Sequence, residues 1–190
     1  MPQQRGPRSR LTAADWADAA LAAMREGGGL ASIAIEPLAT RLGATKGSFY
    51  WHFANRDALI EAALRRWEEQ RLAEISETAK AGAPAAERVR ELFSRVTGHE
   101  DCTELALLAH GGHPLVGPAL RRVTERRLDC LTDVFGELGL TATEARRRAL
   151  QAYCGLLGLV QLRHAVPDVL RWGGDEREYL DSVMRSLAQS

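Results

Sequence analysis

With 25 Lys and Arg against 25 Asp and Glu, the 190-residue chain carries no formal net charge at pH 7, so no overall basic excess points to a nucleic-acid partner. A chain of this length and 45% apolar content buries a core without metal or disulfide staples, and no run approaches the roughly 20 apolar residues of a membrane-spanning helix. The three cysteines, Cys102, Cys130 and Cys154, are odd in number, far apart and lack a CxxC spacing, which argues for core fillers in a reducing cytoplasmic setting and against a disulfide framework.

Residues 1–11 form a polar, Arg- and Pro-rich arm without the apolar stretch of a signal peptide. Thr12 followed by Asp15 has the form of a capping box. A helix is then expected from Ala13 to Glu26, with Trp16, Ala20, Leu21 and Met24 at helical spacing, stopped by Gly27, Gly28 and Gly29. A short helix is expected from Pro37 to Leu42, since proline suits a first turn, and Gly43 ends it. Thr45 caps a third helix to about His52, and Asn55 caps a long fourth helix to about Ala79. After a turn at Ala81–Pro84, helical patterns cover Ala85–Val96, Glu104–His110 and Pro118–Leu138. Thr141 or Thr143 caps another helix to Ala165, and a last one spans Asp175–Leu187. No stretch alternates like a strand, so the fold class is all-α, with about nine helices.

The charge is unevenly spread. Residues 1–56 hold seven cationic side chains (Arg5, Arg8, Arg10, Arg25, Arg41, Lys46, Arg56) and four anionic ones (Asp15, Asp18, Glu26, Glu36), a local excess of three. Within this part, Ile33–Asp57 has the order short helix, glycine turn, short helix, capped long helix. That is the layout of a helix-turn-helix, whose second helix enters the major groove. At about 100° per residue, Phe49 and Phe53 share one side and would close a small core with Leu38 and Leu42. The other side presents Gly47, Ser48, Tyr50 and Trp51, with Thr45 and Lys46 at the helix start. Lys46 can reach a phosphate or a guanine edge, Ser48 a base or phosphate, and Tyr50 a phosphate; Gly47 lets the backbone come close.

The run Thr45–Leu59, TKGSFYWHFANRDAL, and the Leu38–Thr45 stretch leading into it resemble the signature of tetracycline-repressor-type (TetR family) regulators, over about residues 12–70. The resemblance implies that Lys46, Gly47, Ser48, Tyr50 and His52 face DNA, and that Arg56 contacts phosphate. Arg5, Arg8 and Arg10 then form an arm that adds phosphate or minor-groove contacts. It also implies a helix-turn-helix domain over 12–56 and a ligand-binding and dimerisation domain over 57–190. Where the family often has Thr or Ser and a polar neighbour, this chain has Ala34-Ile35-Glu36. Ile35 offers no hydrogen bond and Glu36 repels phosphate, so this helix start is expected to add little DNA affinity.

Other motifs are bland. His110-Gly111-Gly112-His113 has no nearby carboxylate or cysteine and is expected to be a loop, not a metal site. The Gly-Gly pairs lack the lysine of a phosphate loop, and there is no GxSxG or HExxH, so neither a catalytic site nor a cofactor is expected. An all-α enzyme, or a helical module whose first helices only pack, is the alternative class. The segment 144–165 is apolar over more than one face, which suits burial on two sides. With 175–187 it would form a four-helix homodimer interface, as the resemblance implies. The paired heads would hold a palindromic double-stranded operator. A mainly apolar small-molecule effector of unknown identity is expected between residues 60 and 165, lined by Trp67, Phe93, Leu105, Leu108, Val123, Leu128 and Tyr153.

Overall fold

The structure is a computed structural model that describes residues 11–80, 82–85, 87–91, 103–170, 178, 181–183 and 185–186. Among them all regular structure is helical: α1 (Ala13–Ala23), α2 (Ile35–Leu42), α3 (Lys46–Tyr50), α4 (Arg56–Lys80), α5 (Thr103–Leu108), α6 (Val116–Glu137) and α7 (Ala142–Ala165). Residues 85 and 87–91 are helical too, as are 178, 181–183 and 185–186. The expected arm with Arg5, Arg8 and Arg10, the candidate Phe93, Cys102 and most of the expected last helix lie outside the described residues.

Local chemistry sets the boundaries. The Thr12 hydroxyl accepts from the Asp15 N–H at 3.3 Å, and the Asp15 carboxylate accepts from the Thr12 N–H at 2.7 Å, a reciprocal box that starts α1. The glycines that end α1 do so gradually. The chain widens into a π-turn over Met24–Gly28 and tightens into a 3-10 turn over Gly29–Ser32. Gly29 sits at φ 51°, ψ −148°, a conformation open to glycine alone, and a side chain there would also meet Ala106 of α5.

α2 starts at Ile35, two residues ahead of Pro37. Its first hydrogen bond runs from the Leu38 N–H to the Ala34 carbonyl at 3.2 Å, so the nitrogen Pro37 lacks a proton on is one of those a first turn leaves unpaired. Thr141 rather than Thr143 caps α7, its hydroxyl accepting from the Glu144 N–H.

One continuous apolar core runs from Trp16 and Phe49 through Leu59, Ile60 and Trp67 of α4 to Val123, Phe135, Tyr153 and Leu159 of α6 and α7. α4 connects the two ends. On one side Arg66 donates to Asp18 of α1 at 2.8 Å and Gln70 accepts from Arg25 at 2.5 Å. On the other, Arg122 of α6 forks onto the two oxygens of Glu68 at 2.5 and 2.7 Å. The short helix α5 packs between the Met24–Ser32 turns and α6.

Candidate nucleic-acid interface

The turn between α2 and α3 is fixed by its backbone. Gly43 takes the left-handed conformation (φ 62°), its N–H donating to the Thr40 carbonyl at 3.1 Å while Ala44 donates to Ala39 at 2.8 Å. This paired closure needs a residue without the Cβ penalty at Gly43. Thr45 then caps α3, its hydroxyl accepting from the Ser48 N–H at 3.2 Å. Only Ala44 separates the residue that ends one helix from the one that begins the next, so the two axes cannot drift.

α3 is five residues long, too short to be stable on its own propensity. Aromatic packing holds it. Phe49 is fully buried, edge-on to Trp16 of α1 (centroids 5.4 Å apart, 71°) and stacked on Phe53 (5.6 Å, 25°). Tyr50 lies edge-on to Phe49 at 5.1 Å yet is 53% exposed, and Trp51, which closes the helix, is 81% exposed. Thr45, Lys46 and Gly47 are exposed, and Ser48 and His52 half-buried. The wheel drawn from the sequence thus matches the exposures, and Trp51 projects outward instead of packing. A Cβ built on Gly47 would meet only the Thr45 hydroxyl, at an ordinary 3.7 Å. Nothing among the described residues demands glycine there.

Two contacts could not be read from spacing. Arg56, expected at a phosphate, donates from Nε to the Ile33 carbonyl at 2.6 Å and from Nη2 to the Leu30 carbonyl at 2.5 Å, tying the chain ahead of α2 to the start of α4. Lys46 donates to Glu36 at 2.8 Å, joining the first residue of α3 to the second of α2. Each of the two groups holds the other in its charged form: Glu36 falls below the usual carboxylate range and Lys46 rises above the usual ammonium range. Arg41 forks onto Glu26 at 2.9 and 2.6 Å, fastening α2 to the turn after α1.

In the C-terminal part Trp67, Val123, Leu128 and Tyr153 belong to the buried core, Leu105 is half-buried and Leu108 exposed. A polar cluster crosses that core. Tyr153 donates to Glu104 Oε1 at 2.5 Å, the buried Arg127 donates to the same oxygen, and the Arg127 guanidinium lies 5.3 Å from the Tyr153 ring centre. Burial and the neighbouring Glu104 carboxylate push the Tyr153 phenol up to about 12. Glu104 and Arg127 gave no sequence signal, because three separate helices bring them to Tyr153. His110 bonds through Nδ1 to the Ala106 carbonyl at 2.8 Å, and His113 Nδ1 accepts from the Leu115 N–H. Among the described residues no group of His, Cys, Asp or Glu is arranged to hold a metal, and no helix is long and apolar enough to cross a membrane.

Residues 18–63, spanning α1 to the first part of α4, match the family described as bacterial regulatory proteins, tetR family. That N-terminal segment carries the family's signature, and solved structures share the fold over nearly the full length of the chain. A TetR-family transcriptional regulator from Agrobacterium tumefaciens superposes with a TM-score of 0.74 at 20% identity, covering 93% of this chain and 95% of its own. FadR from Bacillus subtilis, solved in complex with stearoyl-CoA, gives 0.66 at 18% identity over 92% and 97%. SmeT, repressor of a Stenotrophomonas maltophilia multidrug efflux pump, gives 0.59 at 17% over 93% and 90%. Among curated proteins, none matches the chain. At these identities the solved structures speak for the fold alone, and the family match covers the segment that holds α2 and α3.

Proposed function

We propose that this regulator is a homodimeric repressor that holds a palindromic operator through α3 and releases it when a small, mainly apolar molecule binds among the helices of residues 57–190. The observation that carries the reading is the outer face of α3. It places a cation, a hydroxyl, a bare backbone and two aromatics toward solvent on a helix anchored from behind by Phe49 and Trp16. Thr45, Lys46, Gly47, Ser48, Tyr50, Trp51 and His52 are the proposed DNA-facing residues. Arg56 stands behind them as a tie on the chain entering α2.

The regulatory half supports the same reading. α4 carries polar ties to α1 and to α6, so a ligand that shifts α6 moves the end of α4 that frames α3. Such a ligand acts only if it binds the DNA-competent and released forms with different affinity.

A gel-shift titration with the duplex flanking the protein's own gene tests this. Nanomolar, sequence-dependent retention is expected; no retention even at low salt overturns the reading. Stearoyl-CoA, the molecule held by the similar Bacillus subtilis structure, is the first compound to add to the retained complex. Compounds that bind without changing operator affinity would overturn the ligand-responsive part alone.

A further inference from the structure

The Glu36–Lys46 pair remains unexplained by a reading in which α3 alone faces the duplex. Its geometry is definite: Lys46 Nζ and Glu36 Oε1 are 2.8 Å apart, with side chains 55% and 74% exposed. It is not needed to hold the two helices together. Solvent screens an exposed ion pair, so it adds little to stability. The head is already fixed by the Phe49 packing, the Gly43 turn and the Arg56 tie. The cost of placing a carboxylate at this edge is plain, because it cancels the cation at the start of the helix meant for an anionic duplex.

The two possible targets differ in what they offer. A phosphate has acceptors only, so Glu36 finds no donor there and repels it. A G·C pair in the major groove offers both kinds of group side by side: guanine presents O6 and N7 acceptors, and cytosine a donating N4 amino group. A linked carboxylate and ammonium match that edge and no part of the backbone. We propose that Glu36 and Lys46 act together as a reader of one G·C pair in each half-site, Glu36 accepting from cytosine N4 and Lys46 donating to guanine, and that Glu36 suppresses phosphate binding by the same contact. The proposal rests on α3 facing the groove. It adds Glu36 as a specificity determinant whose charge lowers non-specific affinity.

The test uses the full-length protein and its Glu36→Gln and Glu36→Ala variants. Each selects from a pool of duplexes with randomised sequence, and each is then titrated on the wild-type winner and on a scrambled duplex at several salt concentrations. Both changes are at an exposed side chain, and matching thermal melts would show the three folds equal. The wild-type pool is expected to hold a G·C pair at one position of each half-site. Glu36→Gln is expected to lose that preference or shift it to adenine, whose N6 and N7 suit an amide. Glu36→Ala is expected to bind the scrambled duplex more tightly, to steepen the slope of log affinity against log salt by about 0.9, and to narrow the ratio of specific to scrambled affinity about tenfold. Identical base preferences and slopes for all three proteins would overturn the proposal while leaving the DNA-binding reading intact. A wild-type protein that selects nothing and retains no duplex at low salt would overturn both.

Discussion

Gly47 separates the needs of the fold from those of a partner. Its would-be Cβ has ordinary room, and glycine costs a helix roughly 0.5–1 kcal/mol relative to alanine. The chain therefore keeps a residue that weakens α3 where nothing among the described residues requires it. Gly47→Ala is expected to leave thermal stability unchanged or slightly raised and to lower operator affinity tenfold or more. A melt and a DNA titration on the same sample check this, and undiminished binding would remove Gly47 from the interface. Tyr50→Ala should likewise weaken operator binding without unfolding the protein, since its ring only edges onto Phe49. The buried phenol of Tyr153 makes a different kind of prediction. In the folded chain it holds its proton to about 12, against 10 for an ordinary tyrosine. The unfolded chain binds fewer protons between those values, so stability present below pH 10 is lost as pH rises toward 12. The loss is at most about 2–3 kcal/mol at roughly 1.4 kcal/mol per pH unit. Urea melts at pH 9 and pH 11.5 should show this fall in wild type and a smaller one in Tyr153→Phe; equal falls would place the alkaline sensitivity elsewhere.

Among elements, the path from Ile33 to the start of α4 shows what the sequence could and could not disclose. Gly43, Thr45 and Asn55 act within three or four residues of themselves, so the turn, the cap of α3 and the start of α4 were legible: the Asn55 side chain accepts from the Ala58 N–H at 2.9 Å. The four-residue step from Phe49 to Phe53 likewise gave the buried side of α3. The Arg56 and Glu36 contacts were not legible, because their partners lie 23, 26 and 10 residues away across turns whose angle no periodicity encodes. Nor did the triple glycine disclose that α1 ends through a π-turn. The Arg56 tie gives an element-scale prediction. Arg56→Gln should destabilise the head by about 1–3 kcal/mol, the range for losing hydrogen bonds from a charged donor at a partly buried site. Operator affinity should then fall through misplacement of α2 and α3, with the salt slope unchanged. A slope lowered by about 0.9 would instead put the guanidinium on a phosphate, as the family resemblance implies.

At the scale of the whole molecule, α7 has more apolar surface than the described residues cover. Ala145, Ala149, Ala152, Tyr153, Leu156 and Leu159 face the core, while Leu150 and Leu162 stay about half exposed on the other side with Cys154, Gly155 and Gly158. The two glycines are costly inside a helix, about 1 kcal/mol each, and a Cβ on either would meet nothing within 4 Å. A cost that the chain's own packing does not offset is explained if a second helix approaches closely along this strip, as in a two-fold interface where each copy offers the same surface. Two copies so joined carry two α3 helices, and DNA of B form presents successive major-groove faces on one side about 34–36 Å apart or at multiples of that. Operator affinity should therefore depend on α7 even though α7 is remote from the duplex. Leu162→Arg places a charge at the C-terminal end of the strip while leaving the inner face intact. It is expected to sediment as a monomer with its helical signal retained, and to lose at least a hundredfold in operator affinity because each half-site is then held alone. A variant that stays dimeric, or a monomer that binds the operator as tightly as wild type, would show that α7 is not the surface that pairs the two heads.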